Sequence, residues 1–457
     1  MGRTTAEEQR ERFEEAGQGH VFDHWDALSG GTQDTYLSEL EGVDLELVQR
    51  LRELALAPAA DSSPKLEPPE VFPLAPTGAD LERTIEARAH GAELLAVGAV
   101  GFVLVAGGQG SRLGFDGPKG AFEIGPIAPA SLFAWHAARI QAAAARHGFA
   151  PRWYVMTSAA NDEATRAYFD LQGHFGLPPS SIFFFRQDML PALDAEGRIV
   201  LARPGALFLA PNGHGGTLAA LASSGALEDM RSHAIEQISY FQVDNPLARP
   251  GDTLFLGLHD IEGAEMSSKV VSKRNASEKV GVLGRIDGRL GCIEYSDLSD
   301  ELRNAKDGSG ALLFSAGNIA AHAIRRDFVE ALTAGGDLDL PWHVARKKIG
   351  GIDAEGNPAE IDGVKFETFV FDALGRTTNS IVLEVDRAEE FSPVKNAEGS
   401  DSPASCRADL LRIGRDLAGA EPDESVHVDP RVAETRDEFQ SRTPVPEATE
   451  AGRVYRP

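Results

Sequence analysis

At 457 residues the chain is longer than one typical domain, so one large core with one or two satellites is the default. Its 44 basic and 70 acidic residues give a net charge of −26, which argues against a general nucleic-acid binder and means that an anionic substrate must be met by local cations or a metal ion. The two cysteines, Cys292 and Cys406, exclude a disulfide framework or a thiolate zinc site. The N-terminus is too charged for a signal peptide, and the longest apolar run, 94–106, is glycine-interrupted and too short to span a bilayer, so a reducing cytoplasm is expected.

Residues 4–56 read as helices, with Leu37, Leu40, Val43, Leu45, Leu47, Val48, Leu51 and Leu54 near helical spacing. Five prolines between 62 and 76 predict an extended connector over the surface. A helix over 81–98 leads into an apolar strand that breaks into glycines, GFVLVAGGQGSRLGFDGPKG at 101–120. Then come an alanine-rich helix over 132–147 after Pro129, a strand over 152–157 and a helix through Leu171. A strand over 182–185 ends in Arg186-Gln187-Asp188, and one over 238–243 ends in Asp244-Asn245. After about 407 the composition turns polar and acidic, and 422–457 shows no sustained period, which reads as a partly disordered tail or surface wrap. Strands alternating with helices predict an α/β fold, with a three-layer Rossmann-like core and a mostly parallel mixed sheet. The expected division is a helical region and connector over 1–75, an α/β domain over 76–385 and a short C-terminal region over 386–457.

In such sheets ligands bind beyond the carboxyl ends of strands. The glycine loop would offer bare main-chain N–H groups there, with Arg112 and Lys119 to neutralise an anion, so a nucleotide di- or triphosphate is the natural guest. It is not a P-loop, since GxxxxGK[ST] is missing, and Leu113 stands where the dinucleotide fingerprint needs its third glycine. Asp244, at the end of a buried strand, is a hard oxygen ligand suited to Mg²⁺, or a cap for the next turn. Gln187, just past a strand, carries both a donor and an acceptor, although taken alone a glutamine there is usually just a surface residue. No Ser/His/Asp or Cys/His set is evident.

The string Leu104-x-x-Gly107-Gly108-Gln109-Gly110-x-Arg112-Leu113-Gly114 with Pro118-Lys119-Gly120 resembles the signature of the UDP-sugar pyrophosphorylases, and is most similar to the N-acetylglucosamine members. Further family-like strings follow in order, over roughly 18–410: HVFDHWD at 20–26, FRQDMLPA at 185–192, VDN at 243–245, SAGNI at 315–319 and FSPVKN at 391–396. The resemblance implies a nucleotidyltransferase core and transfer of uridylyl from UTP to a sugar 1-phosphate, with release of pyrophosphate and help from Mg²⁺ (or Mn²⁺) on Asp244. It implies nucleotide contacts from Leu104, Ala106, Gly107, Gly108, Lys119, Gln187, Gly213, Asp244 and Lys365. Arg112, Lys119 and Lys395 are implied as catalytic cations, and His214, Glu294, Tyr295, Asn318 and Lys395 as sugar contacts. From the residues alone, Glu294 and Asn318 could equally be loop residues satisfying backbone groups.

One string departs from the pattern. PNGHGG at 211–216 stands where the N-acetylglucosamine enzymes carry PDGNGG, and His214 is similar to the GHG motif of glucose-specific relatives. N-acetylglucosamine, N-acetylgalactosamine, glucose and galactose 1-phosphates therefore all stay open as substrates, with a glucose-specific or broad pyrophosphorylase as the alternative and a non-catalytic UDP-sugar sensor as a minor one. A nicotinamide-dependent oxidoreductase is disfavoured by the failed fingerprint. No nucleic acid or membrane partner is expected.

Overall fold

An apolar run without alternation, VGFVLV, forms the middle of a ten-stranded sheet, as suits a strand covered on both faces. The computed structural model describes residues 5–57, 64–295, 297–336 and 338–457; Thr4, Ser62, Ser63 and Ser296, parts of the predicted segments, lie outside them. In chain order the sheet contains β1 (Leu66–Glu67), β2 (Val100–Val105), β3 (Arg152–Thr157), β4 (Ile182–Arg186), β5 (Gln237–Gln242), β6 (Met266–Ser272), β7 (Val282–Ile286), β8 (Arg289–Ile293), β9 (Ala316–Arg325) and β10 (Val382–Glu384). The neighbours β4, β3, β2 and β5 run parallel. Beyond β5 the sheet continues antiparallel through β9 to β6 and β7, with β8 closing a hairpin on β7. This mixed sheet with a parallel block is the α/β core expected from the sequence.

Growth of the sheet runs from β2 to β3 to β4, then resumes with β5 on the other side of β2. That reversal is a topological switch point, where two loops diverge and leave a crevice. The predicted helices are present: Ala79–Ala96 before β2, Leu132–His147 between β2 and β3, and Asp162–Leu171 between β3 and β4. Leu132–His147 begins with Ser131 accepting from the Ala134 N–H and ends at Gly148 in the left-handed region. Phe102, Leu104, Trp153, Val155, Phe133, Ile140 and Phe169 belong to one buried cluster at the heart of this unit.

The chain divides into two compact units. The one just described takes in the described residues of 64–186, 217–339 and 371–457. The other joins the described residues up to 57 with 187–216 and 340–370. Its helices, Ala6–Glu15, Gly30–Glu41 and Leu45–Leu56, share a core with a distant hairpin, His343–Ile352 and Pro358–Glu367. Phe13, Tyr36, Leu40 and Leu51 pack there with Leu193, Val364 and Phe366, whereas Leu54 is exposed. The aromatics of HVFDHWD are packing residues, Phe22 lying 5.6 Å from Trp25 and 6.1 Å from Phe13.

The C-terminal stretch differs from its sequence reading. It forms a helix, Pro403–Ala418, followed by a small sheet of Val426–Val428, Gly452–Tyr455 and Glu447–Thr449 and a helix, Arg436–Arg442. Val426, Val428, Phe439 and Tyr455 gather into a core of their own. These apolar residues are too sparse to raise a period in any window, and only the return of the chain brings them together.

Candidate nucleotide-transfer site

The glycine loop leaves β2 on one side of the switch point. Its carbonyls are tied down from beneath: Asn161 donates through Nδ2 to Ala106 O at 2.8 Å and Gly108 O at 3.1 Å, and Ser158 Oγ donates to Gly107 O at 2.8 Å. Asn161 and Ser158 are both buried, and Asn161 Oδ1 accepts the Ser158 N–H, so clamp and clamped loop form one network. With the carbonyls engaged, the Gly107 and Gly108 N–H groups have no protein acceptor among the described residues. A Cβ added at Gly108 would meet nothing within 4 Å, so the protein's own packing does not demand a bare backbone there. What glycine spares at this position is the approach of a guest. Sequence reading missed Ser158 and Asn161, which lie just past the predicted strand over 152–157.

Across the switch point, Val243 N–H donates to Val105 O, which sets the residue after it beside the loop. Asp244 Oδ2 lies 3.4 Å from Lys119 Nζ, with the two side chains only 14% and 17% exposed. A carboxylate and an ammonium thus meet where the two loops diverge. Asp244 O also accepts the Val394 N–H at 2.8 Å, which brings the segment carrying Lys395 to the same place. The Lys395 ammonium stands over the Phe391 ring, 5.8 Å from its centroid. Arg112 is exposed, with no ion-pair partner among the described residues.

A second group forms at the antiparallel end of the sheet. Asn318 N–H donates to Gly281 O at 2.9 Å, and Asn318 Nδ2 lies 3.9 Å from Cys292 Sγ. Glu294 follows β8 directly, and its carboxylate raises the Cys292 thiol pKa further after burial has pushed it up. Glu294, Cys292 and Asn318 therefore form one polar patch. Tyr295 is exposed beside it, its carbonyl accepting from Arg303. Asn318 Oδ1 accepts the N–H of Ala320, whose φ of 54° lies in the left-handed region. This local bend fixes the amide's orientation.

In the other unit, Gln187 is buried and donates through Nε2 to Asn212 Oδ1 at 3.1 Å and to Gly213 O. Gly213 has φ 82°, and a Cβ on it would lie 2.3 Å from Thr368 O, so a side chain is barred twice over. His214 Nδ1 accepts the Val370 N–H at 3.2 Å, which assigns the neutral ring's proton to Nε2, and its ring stacks on Phe369 at 5.2 Å. Lys365 sits on the hairpin with its ammonium 4.7 Å from the Phe208 ring centroid. Burial lowers its pKa, and the nearby Lys347 lowers it further.

The larger cavities of the sheet unit, about 400 and 450 Å³, are lined respectively by Arg83, Arg285 and Arg289 and by Arg139, Arg249 and Glu434; none of the candidate residues lines either. Among the described residues no helix is long and apolar enough to cross a membrane.

An anion-ready loop and a carboxylate–lysine pair at the switch point of an α/β sheet define a nucleotide-handling enzyme of the transferase type. Residues 61–439 match the family described as UTP--glucose-1-phosphate uridylyltransferase, and the chain belongs to that family of uridylyltransferases. The UDP-N-acetylhexosamine pyrophosphorylase-like protein 1 of Xenopus tropicalis is 37% identical over 432 residues, covering 89% of this chain and 83% of the relative. The UDP-N-acetylglucosamine pyrophosphorylase of Saccharomyces cerevisiae is 36% identical over 435 residues, 89% of each chain. In fold, the chain is similar to the crystal structure of the uridine diphosphate N-acetylglucosamine pyrophosphorylase of Trypanosoma brucei, with a TM-score of 0.82, 26% identity and coverage of 97% and 96%.

Proposed function

We propose that the protein forms a UDP-sugar and pyrophosphate from UTP and a sugar 1-phosphate, with N-acetylglucosamine 1-phosphate as the preferred acceptor. The observation that carries this reading is the Lys119–Asp244 pair beside unpartnered glycine amides at the switch point. An ionised sugar phosphate attacks the α-phosphorus in line and pyrophosphate leaves, so no general base is needed. The task is to hold two polyanions together and to offset the charge that develops between them. Loop amides, Arg112 and Lys119 serve the triphosphate, and Lys395 serves the attacking phosphate and the sugar. Gln187 and Gly213 read the base, with Leu104 and Ala106 along the nucleoside and Lys365 on its phosphates. Glu294, Tyr295, Asn318 and His214 meet the sugar.

Among the described residues no three His, Cys, Asp or Glu side chains cluster as a closed metal site. That suits Mg²⁺ (or Mn²⁺), which takes one or two carboxylates and completes its shell with phosphate oxygens and water, so Asp244 is the fitting protein ligand. When bound, the ion supplies neutralisation of phosphate charge. The names of the relatives support N-acetylglucosamine, while His214 in the PNGHGG turn keeps glucose 1-phosphate as the second reading. Two free thiols, Cys292 and Cys406, are in keeping with a cytoplasmic enzyme.

Pyrophosphate release from UTP and Mg²⁺, measured with N-acetylglucosamine, N-acetylgalactosamine, glucose and galactose 1-phosphates, tests the proposal. The highest kcat/KM is expected with N-acetylglucosamine 1-phosphate; no release with any of the four would end the catalytic reading. Asn161→Ala should free the Ala106 carbonyl, leave the Gly108 carbonyl with only the Lys119 N–H, and loosen the loop amides. Its expected signature is a rise of about tenfold in KM for UTP, the scale of one hydrogen-bonded clamp. An unchanged KM would show that the loop orders itself without Asn161.

A further inference from the structure

Asn245, next to Asp244, has a role of its own. Its side chain is buried and engaged at both ends: Nδ2 donates to Glu390 O at 2.7 Å, and Oδ1 accepts the Ser392 N–H at 3.1 Å. One amide therefore holds the chain on both sides of Phe391. The same segment is anchored again from below, where Lys269 Nζ lies 2.6 Å from both Glu390 Oε2 and Asp252 Oδ2. Lys269 is 2% exposed, and its partners Asp252 and Glu390 are 15% and 8% exposed, so the trio is largely shielded from water. Past the brace, Val394 N–H reaches Asp244 O and Lys395 follows.

Neither Asn245 nor Lys269 has an open route to a substrate phosphate, since both spend their polar atoms on protein partners. Pro393 stiffens the short link between the braced residues and Lys395. The arrangement ties the position of one cation to the residue beside the carboxylate at the switch point. We infer that Asn245 is a positioning residue for uridylyl transfer, acting through Lys395 by locking its segment onto the strand end that carries Asp244. The inference rests on the assignment of Lys395 above and adds the device that aims it.

A double-mutant cycle of Asn245→Ala and Lys395→Ala in the full-length protein tests this, read as kcat for pyrophosphate release together with KM for UTP. Misplacement of a reacting group by about 1 Å costs about a hundredfold, so Asn245→Ala is expected to lower kcat by 10- to 100-fold with KM for UTP within about twofold. In the Lys395→Ala background the same change should cost less than about twofold, because its effect has already been removed. Losses that multiply, or a near-native Asn245→Ala, would overturn the inference while leaving Lys395 catalytic. A near-native Lys395→Ala would instead remove the assignment on which it rests, and the inference with it. If Asn245→Ala does not fold, Asn245→Ser, whose hydroxyl is too short to span both partners, runs through the same cycle and is read by the same criteria.

Discussion

Asp244→Ala is expected to lower kcat by about a thousandfold while the protein melts within a few degrees of the parent. The size follows from the proposed role of Asp244: the change would remove both the carboxylate assigned to Mg²⁺ and the fixed charge beside Lys119, each of the kind that supplies several kcal/mol to a charge-dense transition state. The fold should survive because Asp244 supports its neighbours through its backbone. Its carbonyl takes the Val394 N–H, and alanine keeps that bond. Steady-state rates at saturating UTP, sugar 1-phosphate and Mg²⁺, with a thermal melt of each protein, check both halves. Near-native turnover would remove Asp244 from the chemistry.

Lys269→Met should produce the largest loss of stability. Lys269 is the shared cation of Asp252 and Glu390, and its removal leaves two mostly buried carboxylates facing each other. Breaking a buried pair in this way costs about 3–5 kcal/mol. Each kcal/mol lowers Tm by roughly 2–4 °C in a domain of 150–250 residues, so a fall of several degrees or more is expected. The pH dependence follows from Asp252, whose carboxyl burial pushes up but Lys269 pulls down further, to a net position below its ordinary value. In the parent, its contribution is present above the unfolded pKa and is lost only as pH falls through the lowered native one. Without the lysine, burial and the facing carboxylate both favour a bound proton, opposed by the weaker pull of Arg249 and Arg88. The deficit should therefore be larger at pH 8 than at pH 5. Chemical denaturation at the two pH values measures it; a deficit independent of pH would mean that the trio carries no electrostatic coupling. Adding Asp252→Asn and Glu390→Gln should restore much of the loss, since asparagine keeps the cap that Asp252 makes with the Leu254 and Phe255 N–H groups.

Much of the candidate site was legible because its strings are local. The glycines, Arg112 and Lys119 lie within one loop, and Asp244 follows an apolar strand, so strand-end logic sufficed to mark them. The helix Leu132–His147 and the strand Arg152–Thr157 could be bounded from a preceding proline, an alanine run and a short apolar block. Ser158 and Asn161 could not be assigned in the same way. Their task, holding the carbonyls of the loop after β2, exists only because β3 pairs beside β2.

The C-terminal sheet escaped for a similar reason. Val426 and Tyr455 acquire a shared core only when the chain returns between them, and a sliding window cannot register that. Composition, periodicity and turn chemistry act among residues a few positions apart, and they determined the α/β class, the connector and the identity of the charged groups. Which groups face each other was decided by strand order and by partners far along the chain. Asn245 and Ser392 are 147 positions apart and Lys269 and Glu390 121, and hydrogen bonds of 3.1 and 2.6 Å between them form only after the sheet has closed that distance.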